Sequence, residues 1–248
     1  MVDEGLVVVA GLGEVGRPLL NILSRTFSCT GMDVEPVEIE GPVSVLHICY
    51  PFQIAGFHAV TADYIRRLRP ALTILHCSLP PGTTREVQGL VEEFPVAFSP
   101  VRGKHTHMEE DMLRYRKFVA APRQRTMAVA LDHLSQAGFH TATLPSPEVA
   151  ELAKLLETTY LGVLIAWTQE MERLAMLYGG SFNDVNSFVE EVAFLPSQTY
   201  PGVIGGHCVM PNIELLRRRV ESKFLELVVE SNELKRQLQS PALTGSAK

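Results

Sequence analysis

The residue of this chain best suited to covalent chemistry is a cysteine that follows a paired-glycine turn. Cys208 ends the stretch PGVIGGHC, in which it is preceded by Gly205, Gly206 and His207. Glycines let a ligand approach the backbone closely because they carry no Cβ. A thiol held there could attack a carbonyl carbon, so Cys208 is the candidate nucleophile and the three residues before it are candidate substrate contacts. A small buried cysteine is the alternative interpretation.

A glycine loop near the start of the chain indicates a second ligand. The hexapeptide GLGEVG directly follows an apolar run, Leu6–Ala10, and opens a helical pattern. In that context the backbone amides and the helix N-terminus are suited to a pyrophosphate. A strand–helix turn without a ligand is the alternative. The candidate cofactor residues of this loop are Gly11, Leu12, Gly13, Glu14, Val15 and Gly16.

An acidic residue after the next strand indicates which cofactor is preferred. Asp33 follows the loop at the distance expected of a carboxylate that binds the ribose hydroxyls, which favours NAD over NADP; Glu35 is the weaker alternative. Two more loops lie at the carboxyl ends of predicted strands, where ligands bind in this fold class. They contribute Tyr50, Pro51, Ser78 and Thr83 as candidate cofactor contacts, although the second loop could equally be a capped turn.

The elements that must position these residues fall into two patterns. Short apolar strands alternate with helices over residues 1–145, which predicts an α/β, Rossmann-type doubly wound domain. Residues 146–238 are predicted as an all-α central domain that contains the cysteine loop, and 239–248 as a disordered tail. The first helix of the central domain, 146–178, is longer than a helix needs to be to cover a small sheet. Helices of this length often cross between domains or subunits. Two more helices are predicted, at Phe182–Leu195 and Ile213–Gln237.

Composition narrows the function classes. The net charge is −6 with no continuous basic patch, which disfavours nucleic-acid binding, and no apolar stretch approaches the ~18 residues of a membrane span. The acidic N-terminus does not resemble a signal peptide. Cys29, Cys49 and Cys77 lie near predicted strands without metal-ligand spacing, so we expect small core residues in a reducing, cytoplasmic protein without a metal.

Five motifs in this order resemble the nucleotide-sugar 6-dehydrogenases, which act on UDP-glucose, GDP-mannose or UDP-N-acetylmannosamine. The glycine loop resembles the cofactor loop of that family. The other four motifs are similar to its Pro-Pro-Gly-Thr-Thr loop, its Ser-Pro-Glu-Arg loop, its lysine segment and its nucleophile motif; they are Ser78–Thr84, Ser99–Arg102, Ala150–Lys154 and Gly205–Cys208.

The resemblance implies a four-electron oxidation of a primary alcohol to a carboxylate with two NAD per turnover. Cys208 would be the nucleophile that forms a thiohemiacetal and then a thioester. Lys154, a lysine flanked by apolar residues, would stabilise the oxyanion. The family also builds its dimer on the long helix, so the resemblance implies a homodimer through residues 146–178. The other expected partner is a small-molecule substrate, for which a sugar derivative is one candidate.

Departures from the family pattern leave the substrate and the last step open. Val101 replaces the glutamate of the Ser-Pro loop, Gln169 replaces an asparagine, and Thr158 and Asn212 stand where the family has Asn and Asp. Together with Arg102, the last two are candidate substrate contacts. About 40 residues follow Cys208, which predicts a short member without the C-terminal nucleotide-sugar-binding domain. Lost general acid–base groups cost on the order of 10²–10⁴-fold, so thioester hydrolysis is the step most affected.

Two function hypotheses follow from these observations. The first is an NAD-dependent oxidoreductase acting through Cys208 on a primary alcohol or aldehyde, with a variant that stops at the aldehyde or passes the acyl group to an acceptor other than water. The second is an NAD-binding but catalytically degenerate member that acts as a regulatory or complex-forming subunit. Selective alkylation of Cys208 near neutral pH would argue against the second.

Overall fold

A computed structural model describes residues 5–33, 39–193, 199–206 and 208–239. The chain divides into two compact units, Met1–Lys154 and Leu155–Lys248. The first unit is built on a five-stranded parallel sheet with the order β2-β1-β3-β4-β5. Its strands are β1 (Leu6–Ala10), β2 (Cys29–Met32), β3 (Val43–Ile48), β4 (Leu72–Leu75) and β5 (Val96–Phe98).

The sheet is buried on both faces, which explains the continuous apolar runs of its strands. Side chains alternate between two clusters along β3: Leu46 packs in one and Val45 in the other. Among its described residues, five α-helices lie wholly within this unit, together with a separate parallel pair, β6 (Lys117–Val119) and β7 (Thr141–Thr143). The helices are α1 (Gly16–Leu23), α2 (Phe57–Leu68), α3 (Thr83–Leu90), α4 (Met108–Arg114) and α5 (Gln124–Gln136).

The strand order places a switch point between β1 and β3. The chain runs from β1 to β2 on one side and then to β3 on the other. In open α/β sheets, ligands bind outside the carboxyl ends of the strands at such a point. The predicted α/β doubly wound class is confirmed, and the glycine loop after β1 lies at this edge.

The second unit is helical. It contains most of α6 (Pro147–Leu177), followed by α7 (Phe182–Glu190), α8 (Val209–Arg217) and α9 (Lys223–Gln239). Gly162 of α6 permits close helix packing, since a Cβ there would lie 2.9 Å from Val209 Cγ1 and 3.2 Å from Ile213 Cδ1. No helix of the described residues is long and apolar enough to cross a membrane.

Two predicted helices differ from the structure in their bounds, and one helix of the structure was not predicted. The single helix predicted over Ile213–Gln237 is two helices, α8 and α9, and Ser222, a helix-starting residue type, precedes the second. The helix predicted over Phe182–Leu195 ends at Glu190. Helix α4 was not predicted, because its short acidic sequence has no clear apolar period. The tail predicted as disordered lies mostly outside the described residues, as do Glu35 and His207.

Candidate functional site

The glycine loop has one position open to a ligand and two that are packed. A Cβ on Gly16 would lie 1.7 Å from the carbonyl oxygen of Gly11, and one on Gly11, whose φ is +92°, would lie 2.6 Å from the backbone nitrogen of Tyr50. At Gly13, by contrast, an added Cβ meets no heavy atom of the described chain within 4 Å. Two glycines are therefore required for the turn itself, while the third leaves room over the loop.

The acidic residue predicted to choose the cofactor lies directly at this loop. Asp33 Oδ2 accepts a hydrogen bond of 3.2 Å from the backbone nitrogen of Leu12, and Asp33 is exposed. Glu14 is exposed, and Val15 occupies the N-cap position of α1 without a side-chain capping hydrogen bond. The loop and the carboxylate thus lie on one surface at the switch point.

The loop after β3 was predicted to supply cofactor contacts from Tyr50 and Pro51, but in the structure Tyr50 supports the glycine loop. The backbone of Tyr50 packs against Gly11, and its hydroxyl lies 2.8 Å from Thr61 Oγ1. Burial raises the pKa of the Tyr50 phenol above its usual range. Pro51 is exposed. Tyr50 therefore supports the floor of the loop through its backbone, and its hydroxyl is directed to α2.

The loop after β4 is fixed by a carboxylate that the sequence analysis did not single out. Glu151 of α6 is fully buried and accepts hydrogen bonds from the backbone nitrogens of Gly82 and Thr84, both at 2.7 Å, and from Thr84 Oγ1 at 2.6 Å. Thr83 donates its own hydroxyl to Pro80 O within the turn, and Ser78 is half-buried. The only sequence signal was a glutamate within the apolar pattern of α6.

Two effects compete at this carboxylate. Burial raises the pKa of Glu151 to about 7, while the hydrogen bonds from Thr84 and Gly82 act in the opposite direction and favour the ionised form. Desolvation is the larger effect. The loop anchor is therefore a group whose charge changes near neutral pH.

The loop after β5 presents an arginine on an aromatic support. Arg102 Nη2 donates to Arg116 O at 2.8 Å, and its guanidinium lies 5.1 Å from the centre of the Phe118 ring. Val101, at the position of the family glutamate, is buried. The Arg102 side chain is thus oriented by the segment around β6, and the residue beside it supplies packing in place of a carboxylate.

In the second unit, Cys208 lies at the N-cap of α8 and is half-buried. The two glycines before it are exposed, and Gly206 has φ +77°. A helix N-terminus favours a thiolate over a thiol. The loop therefore places a cysteine beside an exposed turn, in which any residue other than glycine at position 206 would strain the backbone.

Polar side chains of α6 and α9 hold this cysteine loop in place. Asn232 accepts from the Ile204 backbone nitrogen at 2.7 Å and donates to the Ile204 oxygen at 3.1 Å, so its amide pairs with that residue as a strand would. Gln169 donates to Gly202 O at 2.7 Å and accepts from Ser231 Oγ at 2.8 Å. Sequence reasoning missed this role of Asn232, whose only signal was a polar pair on the buried face of α9.

The structure brings together two predicted substrate contacts of this unit. Asn212 Nδ2 donates to Thr158 Oγ1 at 2.9 Å, and Asn212 is buried. The remaining predicted catalytic residue, Lys154, is half-buried and ends the first unit, whereas Cys208 belongs to the second. The site residues of the first unit converge on the carboxyl edge of the sheet; those of the second surround the start of α8.

The sheet with a glycine loop at its switch point defines a Rossmann-type doubly wound unit. Residues 148–234 match the central domain of the UDP-glucose/GDP-mannose dehydrogenase family. The resemblance to that family is thereby confirmed for residues 148–234, which contain the lysine segment and the nucleophile motif.

Individual relatives agree with this assignment. UDP-N-acetyl-D-mannosamine dehydrogenase of Pyrococcus horikoshii is 25% identical over 166 residues, which are 63% of this chain and 40% of that protein. The solved UDP-D-ManNAc dehydrogenase from the same organism has a TM-score of 0.80 at 17% identity, over 94% of this chain and 68% of that one. The solved UDP-glucose dehydrogenase of Pyrobaculum islandicum has a TM-score of 0.77 at 20% identity, over 94% of this chain and 69% of that one. The two structures show the shared fold.

Proposed function

We propose that this protein is an NAD-dependent dehydrogenase that oxidises a primary alcohol or aldehyde of a sugar-like substrate through Cys208. The observation that carries the proposal is the glycine loop at the switch point, closed at Gly11 and Gly16 but open above Gly13. The family whose central domain matches residues 148–234 and the relative that matches over 166 residues are dehydrogenases by name, which supports the same conclusion.

The residues of the first unit fit a dinucleotide. The open face above Gly13 leaves space for a pyrophosphate beside backbone amides at the start of α1. Asp33 adds a carboxylate that would bind ribose hydroxyls and repel a 2′-phosphate. When bound there, NAD⁺ would serve as the hydride acceptor.

Cys208 would carry the covalent part of the reaction. Its sulfur would add to the aldehyde carbon and give a thiohemiacetal, whose oxygen the Lys154 ammonium would stabilise. Loss of a hydride from that carbon leaves a thioester, which water cleaves to a carboxylate and the free thiol. Val101 offers no carboxylate to orient that water, so we expect hydrolysis to be the slow step.

The proposal is tested by counting NADH formed per molecule of UDP-N-acetylmannosamine or UDP-glucose consumed. Two NADH are expected for full oxidation. Cys208→Ser is expected to abolish the second oxidation, and Cys29→Ser, at a half-buried cysteine of the sheet, is the matched control. Full four-electron activity in Cys208→Ser would contradict the mechanism. NAD⁺ binding with a Cys208 that iodoacetamide does not alkylate would favour a cofactor-binding subunit instead.

We further propose that two copies of the chain associate through α6. Tyr160, Trp167 and Leu174 are 58%, 55% and 47% exposed and recur at intervals of seven residues, so they lie along one face of the helix. Large apolar side chains in one exposed stripe mark an interaction surface. A second copy of the same helix would cover this stripe symmetrically.

A further inference from the structure

Three histidines form a continuous buried chain in the first unit. His47 of β3 lies between the other two: its Nδ1 is 2.8 Å from Nε2 of His76, which follows β4, and its Nε2 is 3.0 Å from Nε2 of His133 on α5. All three are at most 3% exposed. Burial lowers the pKa of each imidazole, that of His133 to about 4, so all three are neutral near pH 7.

The chain ends at a buried lysine. Lys117 Nζ of β6 lies 3.1 Å from His76 Nδ1 and donates to Ser99 O at 2.8 Å and Pro100 O at 3.1 Å. His76 Nδ1 is itself 2.7 Å from Ser99 O. Burial lowers the pKa of Lys117 to about 7; Cys49 acts in the opposite direction, and Lys154 and Arg102 lower it further. The lysine can therefore gain or lose its proton near neutral pH.

A metal ion does not explain the cluster. The ring nitrogens that would bind an ion lie within hydrogen-bond distance of one another, and the described residues contain no group of three or more possible ligands around a common point. A chain of hydrogen bonds does fit, because a neutral imidazole has one donor nitrogen and one acceptor nitrogen.

The donors can be ordered in only two ways, and the charge of Lys117 selects between them. If Lys117 is a neutral amine, His76 carries its proton on Nδ1 and donates to Ser99 O. Its bare Nε2 then accepts from His47 Nδ1, whose bare Nε2 accepts from His133 Nε2. If Lys117 is an ammonium, its third proton is donated to a bare His76 Nδ1. Each imidazole then carries its proton on the opposite nitrogen.

We propose that His133, His47 and His76 form a buried proton relay that charges and discharges Lys117, and that charged Lys117 fixes the loop following β5. A proton arriving at His133 Nδ1 releases the Nε2 proton of that ring to His47 Nε2. His47 then passes its Nδ1 proton to His76 Nε2, and His76 passes its Nδ1 proton to the Lys117 amine. One proton enters, one ammonium forms, and every imidazole ends neutral with its tautomer reversed.

The relay has a target in the candidate site of the first unit. Lys117 binds the two carbonyl oxygens that precede Val101 and Arg102, and the charge of Lys154 is close enough to lower the pKa of Lys117. The ammonium therefore acts as a positioning group for the Arg102 loop. This inference does not depend on the proposed oxidation, because the relay is complete within the described residues.

The test is nitrogen NMR of the whole chain labelled with ¹⁵N-histidine, recorded from about pH 6 to about pH 8.5. As the pH rises, His76 and His47 are expected to change from Nε2–H to Nδ1–H and His133 from Nδ1–H to Nε2–H, in one step, with all three rings neutral. Exposed His140 provides a reference. Tautomers that stay constant over this range would overturn the relay.

Two variants separate the relay from simple packing. Lys117→Met removes the titrating group and is expected to hold the three rings at the high-pH tautomers at every pH. His133→Phe keeps an aromatic ring beside Phe27, which stacks on His133 at 4.6 Å, but removes the acceptor of His47 Nε2–H. It is expected to give the same locked state even if Lys117→Met does not fold. A pH-dependent reversal that persists in either folded variant would contradict the proposal.

Discussion

Glu151 and Thr84 are joined by two hydrogen bonds, one from the Thr84 backbone nitrogen at 2.7 Å and one from its hydroxyl at 2.6 Å, both to the same carboxylate oxygen. The contact ties the start of the long helix to the loop after β4. It occurs at the N-terminus of α3, where backbone donors lack helical partners. The contact therefore holds the part of the loop that leads into α3.

Glu151→Gln is expected to change how stability depends on pH. Because folding raises the pKa of Glu151 from 4.5 to about 7, the folded state binds more protons between those values. The stability contributed by the protonated group is present below about pH 4.5 and is lost as the pH rises through 7. The free energy of unfolding of the wild type, minus that of Glu151→Gln, should thus fall as the pH rises from about 4.5 to about 7. The fall should be at most about 3 kcal/mol.

Urea unfolding of both proteins at several pH values measures this difference. The buried histidines also make the free energy of unfolding depend on pH, but they do so equally in both proteins, so the difference removes their contribution. Their effect has the opposite sign, because on lowering the pH they take up protons more readily in the unfolded chain than in the fold. A difference that stays constant with pH would mean that Glu151 remains ionised in the fold.

Gly13→Ala and Gly16→Ala are expected to separate ligand binding from folding. A methyl group at position 13 meets no described atom within 4 Å, whereas at position 16 it would lie 1.7 Å from a carbonyl oxygen. Gly13→Ala should therefore keep its melting temperature without ligand but bind NAD⁺ at least about tenfold more weakly, a loss of about 1.4 kcal/mol. Gly16→Ala should lose stability in the absence of any ligand. Unchanged NAD⁺ affinity in Gly13→Ala, by calorimetry, would show that the open face does not bind the cofactor.

Asn232→Ala is expected to loosen the cysteine loop. It removes both hydrogen bonds to Ile204 and leaves a buried backbone donor unpaired, which costs about 1–3 kcal/mol. Besides this loss of stability, the rate of Cys208 alkylation by iodoacetamide should change, because the start of α8 is no longer held. Asn186→Ala, on α7, is a matched control for loss of an amide. An alkylation rate equal to that of the wild type would show that Asn232 acts on stability alone.

Trp167→Glu is expected to produce monomers. Trp167 is 55% exposed on α6, so a charge there should leave the folded chain intact but be buried without a partner in a two-fold interface. Mass measurement by light scattering at several concentrations tests this. Arg217→Glu, which changes charge at an exposed position of α8, is the control. A wild type that is monomeric at all concentrations would contradict association through α6.

Much of the fold could be predicted because its signals are local. The glycine loop lies between an apolar strand and a helix, and α6 was predicted to within one residue at each end because its apolar spacing is regular over its whole length. The break between α8 and α9 was missed because the residues that begin it, Arg218, Arg219 and Val220, fit a helix as well as a turn. Local propensity does not distinguish these cases.

The polar contacts of the interior could not be predicted, because they join residues far apart in the sequence. In the sequence, Lys117 and His76 look like ordinary residues of two predicted strands. Only the fold brings β6 and the end of β4, which belong to different sheets, close enough for Lys117 Nζ to lie 3.1 Å from His76 Nδ1. Glu151 likewise gains its role only from a loop 67 residues earlier in the chain. The role of such a side chain depends on how deeply it is buried and on which groups it contacts. Neither can be read from the spacing of residues in the sequence.

The most direct test of the central claim is the melting temperature of the wild type with NAD⁺ and with NADP⁺, each at about 100 times the dissociation constant measured for NAD⁺. There a bound ligand adds about 2.7 kcal/mol, which raises the melting temperature by about 5–11 °C for a chain of this size, at about 2–4 °C per kcal/mol. We predict that shift with NAD⁺, little with NADP⁺, and a smaller preference in Asp33→Asn. No shift with either nucleotide would contradict the account of the protein as an NAD-dependent dehydrogenase.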